Sequence, residues 1–157
     1  MKTFLTSPVP VGIIRKEEEE SMERPICKDV FLLSQKAVPA TRADIPVGID
    51  LQDTLSAHAD ACVGMAANMI GVNKAVIIIS TEDADLVMFN PVILSKSGPY
   101  EAEEGCLSFP GTRKTGRFEN IEIEYTDFSW KKMRIRLSGF EAEIAQHEID
   151  HLNGKNI

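Results

Sequence analysis

The chain has 157 residues, and its 17 Lys and Arg against 24 Asp and Glu give a formal charge of −7 at pH 7. A domain of this length buries roughly two-thirds of its unfolded-chain surface, so the length suits one domain with its own core. The acidic balance argues against a direct nucleic-acid site, which needs clustered Lys and Arg. The longest uncharged stretch, residues 61–73, has 13 residues. A membrane-spanning helix needs about 20, so we expect no membrane segment.

The cysteine content and the N-terminus both favour a cytoplasmic location. Cys27, Cys62 and Cys106 are odd in number and show no tight pairing pattern, which is typical of proteins from a reducing compartment. Pro8 and Pro10 interrupt the segment that would form the apolar core of a signal peptide. We therefore expect a cytoplasmic protein.

Residues 1–26 differ in composition from the rest of the chain. They contain three prolines and a run of four glutamates at residues 17–20, and such a like-charge run repels itself. We expect a mobile N-terminal extension over residues 1–26 and a single domain over residues 27–157.

The first helix of that domain is predicted over residues 44–62, where apolar side chains recur every three or four positions. Asp44 is a candidate N-cap, and Pro46 occupies a first-turn position that tolerates proline. Gly64 and Gly71 bracket an uncharged run that we expect to be extended.

Four short segments have the composition or alternation of β-strands: residues 75–79, 86–89, 121–125 and 132–137. The second is expected to stop at Asn90 and Pro91, which favour a turn. A C-terminal helix is predicted from about 139 to 153, with Ser138 and Glu141 forming a capping box and Gly154 ending it. Because strands come in runs and helices lie near the two ends, we expect an α+β fold of antiparallel β-sheets packed around the C-terminal helix.

The C-terminal helix carries the pattern His147, Glu148, Ile149, Asp150, His151. Residues four apart share a helix face, so both imidazoles can bind one metal ion. Glu148 lies on the adjoining side, where a carboxylate can take a proton from water activated by the metal. This pattern makes the helix a candidate metal-binding element.

A catalytic metal site of this type needs a third protein ligand, and residues 152–157 offer none. The candidates are therefore upstream: His58, Cys27, Cys62 and Cys106. Cys62 falls on the apolar face of the predicted helix, where a thiol behaves as a small hydrophobic group. Cys106 lies in a glycine-bearing loop or strand end among polar residues, which makes it the best candidate.

Three segments, in chain order, resemble motifs of the peptide deformylase family: residues 63–69 (VGMAANM), 104–108 (EGCLS) and 146–152 (QHEIDHL). The second is identical to the cysteine motif of that family, and the third matches its histidine helix. Weaker similarity begins near Asp29 and runs to Gly154.

The resemblance implies hydrolysis of the formyl group from N-formylmethionyl peptides, with release of formate. It implies one divalent metal ion, Fe²⁺ in the native enzyme with Zn²⁺, Ni²⁺ or Co²⁺ as alternatives, held by Cys106, His147 and His151. Glu148 would act as general base and acid, and the Leu107 backbone N–H would donate to the oxyanion. The implied substrate-binding residues are Val63, Gly64, Glu104, Gly105, Leu107 and Ile144. Nascent peptides and transient contact with the ribosome are the implied partners.

Three positions depart from the family pattern. Met69 replaces a glutamine whose amide donates to the formyl oxygen, and a thioether has no proton to donate. We therefore weigh a working deformylase of lower activity against a deformylase-like protein that binds metal and blocked N-termini. Cys62 stands where many members have glycine. Glu143 replaces an apolar residue, and either forms an ion pair with Arg113 or Arg117, or changes the substrate preference.

Overall fold

The computed structural model describes residues 23–155, which form one five-stranded antiparallel sheet, two longer helices and several short helical turns. The strands, which pair in chain order, are β1 (Gly64–Ala66), β2 (Val76–Ser80), β3 (Asp85–Cys106), β4 (Phe109–Thr126) and β5 (Lys132–Ser138). The helices are α1 (Val30–Leu33), α2 (Ile45–Ala57) and α3 (Gly139–Leu152), with 3₁₀ turns at Arg42–Asp44 and Ala67–Ile70. The expected α+β fold is confirmed, with one continuous hydrogen-bonded sheet. None of the helices in this range has the length and apolar character that crossing a membrane requires.

The core lies on both faces of β2. Ile77 and Ile79 pack in the cluster that includes α3, whereas Val76 and Ile78 pack in the cluster that includes Leu51 of α2. A strand covered on both faces is apolar at every position, which explains the uninterrupted run that the sequence shows there.

The second predicted strand does not stop at Asn90 and Pro91, because β3 continues through them. Asn90 adopts a φ of 54°, and the register with β4 shifts between Phe89 and Val92. Pro91 therefore lies at a bulge, where the missing N–H leaves no ladder bond unmade. The Asn90 amide instead bonds the Ala40 backbone, accepting from its N–H at 2.8 Å and donating to its carbonyl at 3.0 Å.

The first long helix is shorter than predicted, since α2 ends at Ala57 and His58 is its C-cap. Asp44 precedes α2 but makes no side-chain capping bond, because its carboxylate accepts from the Thr41 backbone N–H instead. The segment between Gly64 and Gly71 is extended only over β1 and then turns into a 3₁₀ helix.

The bounds of α3 agree with the predicted C-terminal helix, and Gly154 follows it with a φ of 78°. The predicted capping box is wrong, because Ser138 makes no side-chain capping bond. The carboxylate of Glu141 instead accepts from the backbone N–H of Glu82 at 3.0 Å. A tertiary contact has thus replaced the local one.

The predicted N-terminal extension lies outside the described residues except for 23–26. Within that short part, Arg24 pairs with the buried Asp50 of α2 at 2.8 Å, and its backbone N–H donates to Thr54. Ile26 packs against the cluster that includes Leu51. These contacts attach residues 24–26 to α2.

Candidate active site

Three predicted ligands meet between the end of β3 and the middle of α3. The Nε2 atoms of His147 and His151 lie 3.2 Å apart, because residues four apart stack on one helix face. The Cys106 Sγ atom lies 3.2 Å from His151 Nε2. The ligand atoms of all three residues lie within 4.8 Å of one another. The structure therefore brings together the trio that the sequence predicts.

The tight link between β3 and β4 positions Cys106. The β3–β4 register shifts between Gly105 and Cys106, and Cys106 with Phe109 is the last pair of the ladder. The Cys106 thiol contacts His151 of α3. The Ser108 backbone N–H donates to Cys106 Sγ at 3.4 Å, and the Ser108 hydroxyl donates to the Cys27 carbonyl at 2.8 Å. Cys27 thus supports the loop that carries Cys106, and its thiol is not part of the trio.

A buried charge network lies behind His147. Its Nδ1 atom is 2.7 Å from Glu104 Oε1, and Arg117 donates two bonds to the same carboxylate at 2.8 and 2.9 Å. Arg117 also pairs with Asp150 at 2.6 Å. Burial raises the pKa of Glu104, but its bonds with His147 and Arg117 outweigh this and lower it to about 2. The ionised Glu104 leaves His147 Nε2 as the nitrogen available to a metal.

The two histidines of the trio have opposite pKa shifts. Burial lowers the pKa of His147, but its bonds with Cys106 and Glu104 raise it to about 10. Burial and the adjacent His147 lower the pKa of His151 to about 3, so its ring is neutral at pH 7. The His151 ring is therefore in the neutral form, which is the form of imidazole that binds a metal ion. A thiolate and two imidazoles suit zinc or ferrous iron better than magnesium or calcium.

Glu148 lies in the wall of the cavity beside the trio and is almost fully buried. Its Oε1 atom has no hydrogen-bond partner among residues 23–155. Burial raises its pKa to about 7, where a carboxyl exchanges protons readily at neutral pH. Gly64 makes room for it, since a Cβ there would lie 3.0 Å from Glu148 Oε2 and 2.6 Å from Ile144 Cγ2.

The cavity has a volume of about 480 Å³ and opens beside these groups. Every predicted substrate-binding residue lines it: Val63, Gly64, Glu104, Gly105, Leu107 and Ile144. Met69, Cys106, His147 and Glu148 line it as well, together with Ala61, Cys62, Glu103, Phe140 and Glu143. The carboxylate of Glu104 is occupied by Arg117 and His147, so it holds the histidine in place.

Met69 and Asn68 lie in the 3₁₀ turn after β1. In an extended strand these neighbouring side chains would point to opposite faces, but a 3₁₀ turn does not impose that alternation. Met69 lines the cavity, and its sulfur accepts from the Ala66 N–H at 3.4 Å. Asn68 is fully buried and donates from Nδ2 to the His151 carbonyl at 2.8 Å. Asn68 thus supports α3, and Met69 faces the site.

The other predicted candidates have separate environments. Cys62 lies beyond the end of α2, not on its apolar face, and its thiol donates to the Gly64 carbonyl at 2.8 Å. Burial raises the pKa of Cys62 to about 11, so it stays a thiol. His58 Nδ1 lies 3.0 Å from the Thr54 carbonyl of its own helix.

The sequence motifs do not predict the ion-pair network of Glu104, Arg117 and Asp150. One feature of the sequence does indicate this network, namely the position of Arg117 in the alternation of inward and outward side chains along β4. Arg117 is an even number of residues from Ile121 and Ile123 along the strand, so its side chain points to the same inward face. A charged residue on that face needs a buried partner.

A family model described as polypeptide deformylase matches residues 26–157. The chain belongs to the polypeptide deformylase family. A peptide deformylase of Clostridium beijerinckii is 49% identical over 133 residues, which are 85% of this chain and 98% of that protein. Peptide deformylase 3 of Shewanella oneidensis is 43% identical over 129 residues, 78% of each chain.

Solved deformylase structures share the fold. The class I type b peptide deformylase of Acinetobacter baumannii bound to Met-Ala-Ser has a TM-score of 0.77 and 29% identity, covering 85% of this chain and 96% of that one. The peptide deformylase of Thermus thermophilus has a TM-score of 0.76 and 31% identity, covering 85% of this chain and 82% of that one. Deformylases remove the N-formyl group from nascent peptides, and this chain is a metal-dependent hydrolase of that family.

Proposed function

We propose that this deformylase removes the formyl group from N-formylmethionyl peptides, using one divalent metal ion held by Cys106, His147 and His151. The observation that supports this most directly is that the three donor atoms converge beside the buried Glu148, whose Oε1 atom has no hydrogen-bond partner among the described residues. The Met-Ala-Ser complex of the Acinetobacter baumannii relative supports a peptide as the occupant of the cavity. The catalytic unit in this proposal is residues 27–157.

Each neighbouring group has a role in hydrolysis. Cys106, His147 and His151 would hold the ion, which would supply Lewis-acid polarisation of the formyl carbonyl and lower the pKa of water. Glu148 takes a proton from the attacking water and returns it to the amine as the C–N bond breaks, so that formate and a free N-terminus leave. The Leu107 backbone N–H donates to the developing oxyanion. Met69 has no proton to donate, which removes one stabilising contact relative to a glutamine at this position.

Ferrous iron is the proposed native ion, with zinc, nickel and cobalt able to replace it. The sulfur and nitrogen donors support this set of ions, because they are softer than the oxygen ligands preferred by magnesium or calcium. The proposed substrates are the formylated ends of nascent chains. Because these chains emerge from the ribosome, the proposal includes transient contact with the ribosome in the cytoplasm.

Formate release from formyl-Met-Ala-Ser by anaerobically purified, iron-loaded protein tests the proposal. Glu148→Gln is the matched control, because it keeps the shape of the side chain but cannot act as a base. We expect the variant to keep its metal content and to lose at least about 10²-fold in kcat. Loss of metal together with activity would show that Glu148 is a ligand.

A second candidate function rests on the observation that the Met69 sulfur is an acceptor bonded to the Ala66 N–H. With one oxyanion donor fewer, the protein would bind metal and blocked N-termini with little turnover. Tight binding of formyl-Met-Ala-Ser without formate release would favour this candidate.

A further inference from the structure

The cavity wall carries a carboxyl group one helical turn before His147. Glu143 lies four residues before His147 on α3, so the two side chains share a face, and both line the cavity. The Tyr100 hydroxyl on β3 donates to Glu143 Oε1 at 3.3 Å. This bond restrains the orientation of the carboxyl group.

No cation pairs with Glu143 among the described residues. Arg117, one of two expected partners, is bonded to Glu104 and Asp150 instead. Arg113, the other, lies over the Phe109 ring at 5.4 Å. Burial raises the pKa of Glu143, and so do its hydrogen bond with the ionised Glu104 carboxylate and the charge of that group.

The described lining of the cavity contains carboxylates but no lysine or arginine. Glu103 also lines it, and its carboxylate accepts from the Thr112 hydroxyl at 2.7 Å. A substrate group near Glu143 therefore meets carboxyl oxygens, with no lysine or arginine among the described lining residues. An ammonium or amide group could satisfy these acceptors, whereas an apolar chain end could not.

The position of Glu143 relative to the reacting groups sets which part of a substrate it meets. Glu143 precedes His147 by one turn of α3, a rise of about 5.4 Å. That rise matches the reach of an unbranched side chain of four heavy atoms. Gly64, Ile144 and Glu143 line the same cavity as His147.

We propose that Glu143, oriented by Tyr100, is a specificity-determining residue that makes this cavity select formylated residues whose side chains end in a hydrogen-bond donor or a positive charge. This inference rests on the proposed deformylase function and deepens it. A methionine side chain still binds in the cavity through its apolar stem. A side chain of the same length that ends in a hydrogen-bond donor gains a bond to the Glu143 carboxylate.

The test compares two substrates of equal shape, formyl-ornithyl-Ala-Ser and formyl-norleucyl-Ala-Ser, in which an ammonium replaces a terminal methyl. The kcat/KM ratio of ornithine to norleucine is measured for wild type, Glu143→Leu and Glu143→Gln. We expect the ratio to fall about ten- to hundredfold in Glu143→Leu. Glu143→Gln keeps the shape but removes the charge, and we expect a fall of at least about fivefold.

Glu101→Leu is the control, because this exposed carboxylate of β3 lies outside the cavity lining. Its ratio should stay within about twofold of wild type if the effect is local. Ratios within about twofold of wild type in both Glu143 variants would overturn the proposal. If Glu143→Leu does not fold, Glu143→Gln decides alone.

A binding measurement separates this inference from the proposed function. Calorimetry on the iron-loaded protein gives Kd values for the unformylated peptides Orn-Ala-Ser and Nle-Ala-Ser, which need no turnover. If no substrate releases formate, the deformylase proposal fails and the Kd ratio alone decides specificity. A Kd ratio that is the same in wild type and Glu143→Gln would then overturn the role of Glu143.

Discussion

Replacing Arg117 with methionine removes a buried cation from behind the candidate metal centre. The Arg117 side chain is 4% exposed, and its partners Glu104 and Asp150 are 8% and 18% exposed. Truncation leaves both carboxylates without their main partner. Lys155 is a weak substitute for Asp150, because its ammonium is 3.6 Å away and the side chain is 63% exposed. Breaking one side of a buried ion pair costs about 3–5 kcal/mol, so we expect the free energy of unfolding to fall by that amount.

The same change should loosen the metal ligands. Glu104 would lose the two Arg117 bonds that fix its carboxylate against His147 Nδ1. Loss of such a supporting contact lowers metal affinity about ten- to hundredfold. Urea unfolding of the metal-free protein measures the first effect, and titration of Zn²⁺ against a competing chelator measures the second.

Arg134→Met on β5 is the matched control for this experiment. Arg134 is 64% exposed and lies 3.6 Å from Glu124, so its ion pair is a surface one. Exposed pairs contribute about 0–1 kcal/mol, and we expect a correspondingly small loss. If Arg117→Met were no more destabilising than Arg134→Met, and bound zinc normally, the assigned role of Arg117 would be refuted.

Three further substitutions test the cavity and its supports. Met69→Gln supplies a side-chain N–H near the formyl oxygen, and we expect kcat/KM for formyl-Met-Ala-Ser to rise about ten- to a few hundredfold; an unchanged or lower value would contradict the oxyanion account. Gly64→Ala forces a methyl group to 3.0 Å from Glu148 Oε2, so steady-state kinetics should show lower kcat while metal content stays normal. Asn68→Ala leaves the His151 carbonyl without its side-chain donor, and urea unfolding should show a loss of about 1–3 kcal/mol.

The sequence by itself determined the features that depend on short-range periodicity. Two histidines four apart share a helix face wherever that helix lies, so His147, His151 and the adjoining Glu148 could be assigned as a unit. Alternation along β4 likewise identified Ile121 and Ile123 as inward-facing, and both are buried. Cys106 was the best upstream candidate for the third ligand from the residues alone, and the resemblance to deformylases implied the same residue; this role remains a prediction that the geometry supports.

Only the tertiary structure decided how the surrounding groups are paired. Asn68 and Met69 could not be placed from strand alternation, because the chain turns into a 3₁₀ helix where Asn68 reaches the His151 carbonyl. Arg117 forms ion pairs with Glu104 and Asp150, and the Tyr100 hydroxyl donates a hydrogen bond to Glu143. These partners are tens of residues apart in the chain, and local propensity carries no information about contacts across such separations. Burial of each charge requires a partner, but only the packing of α3 on the sheet determines which one.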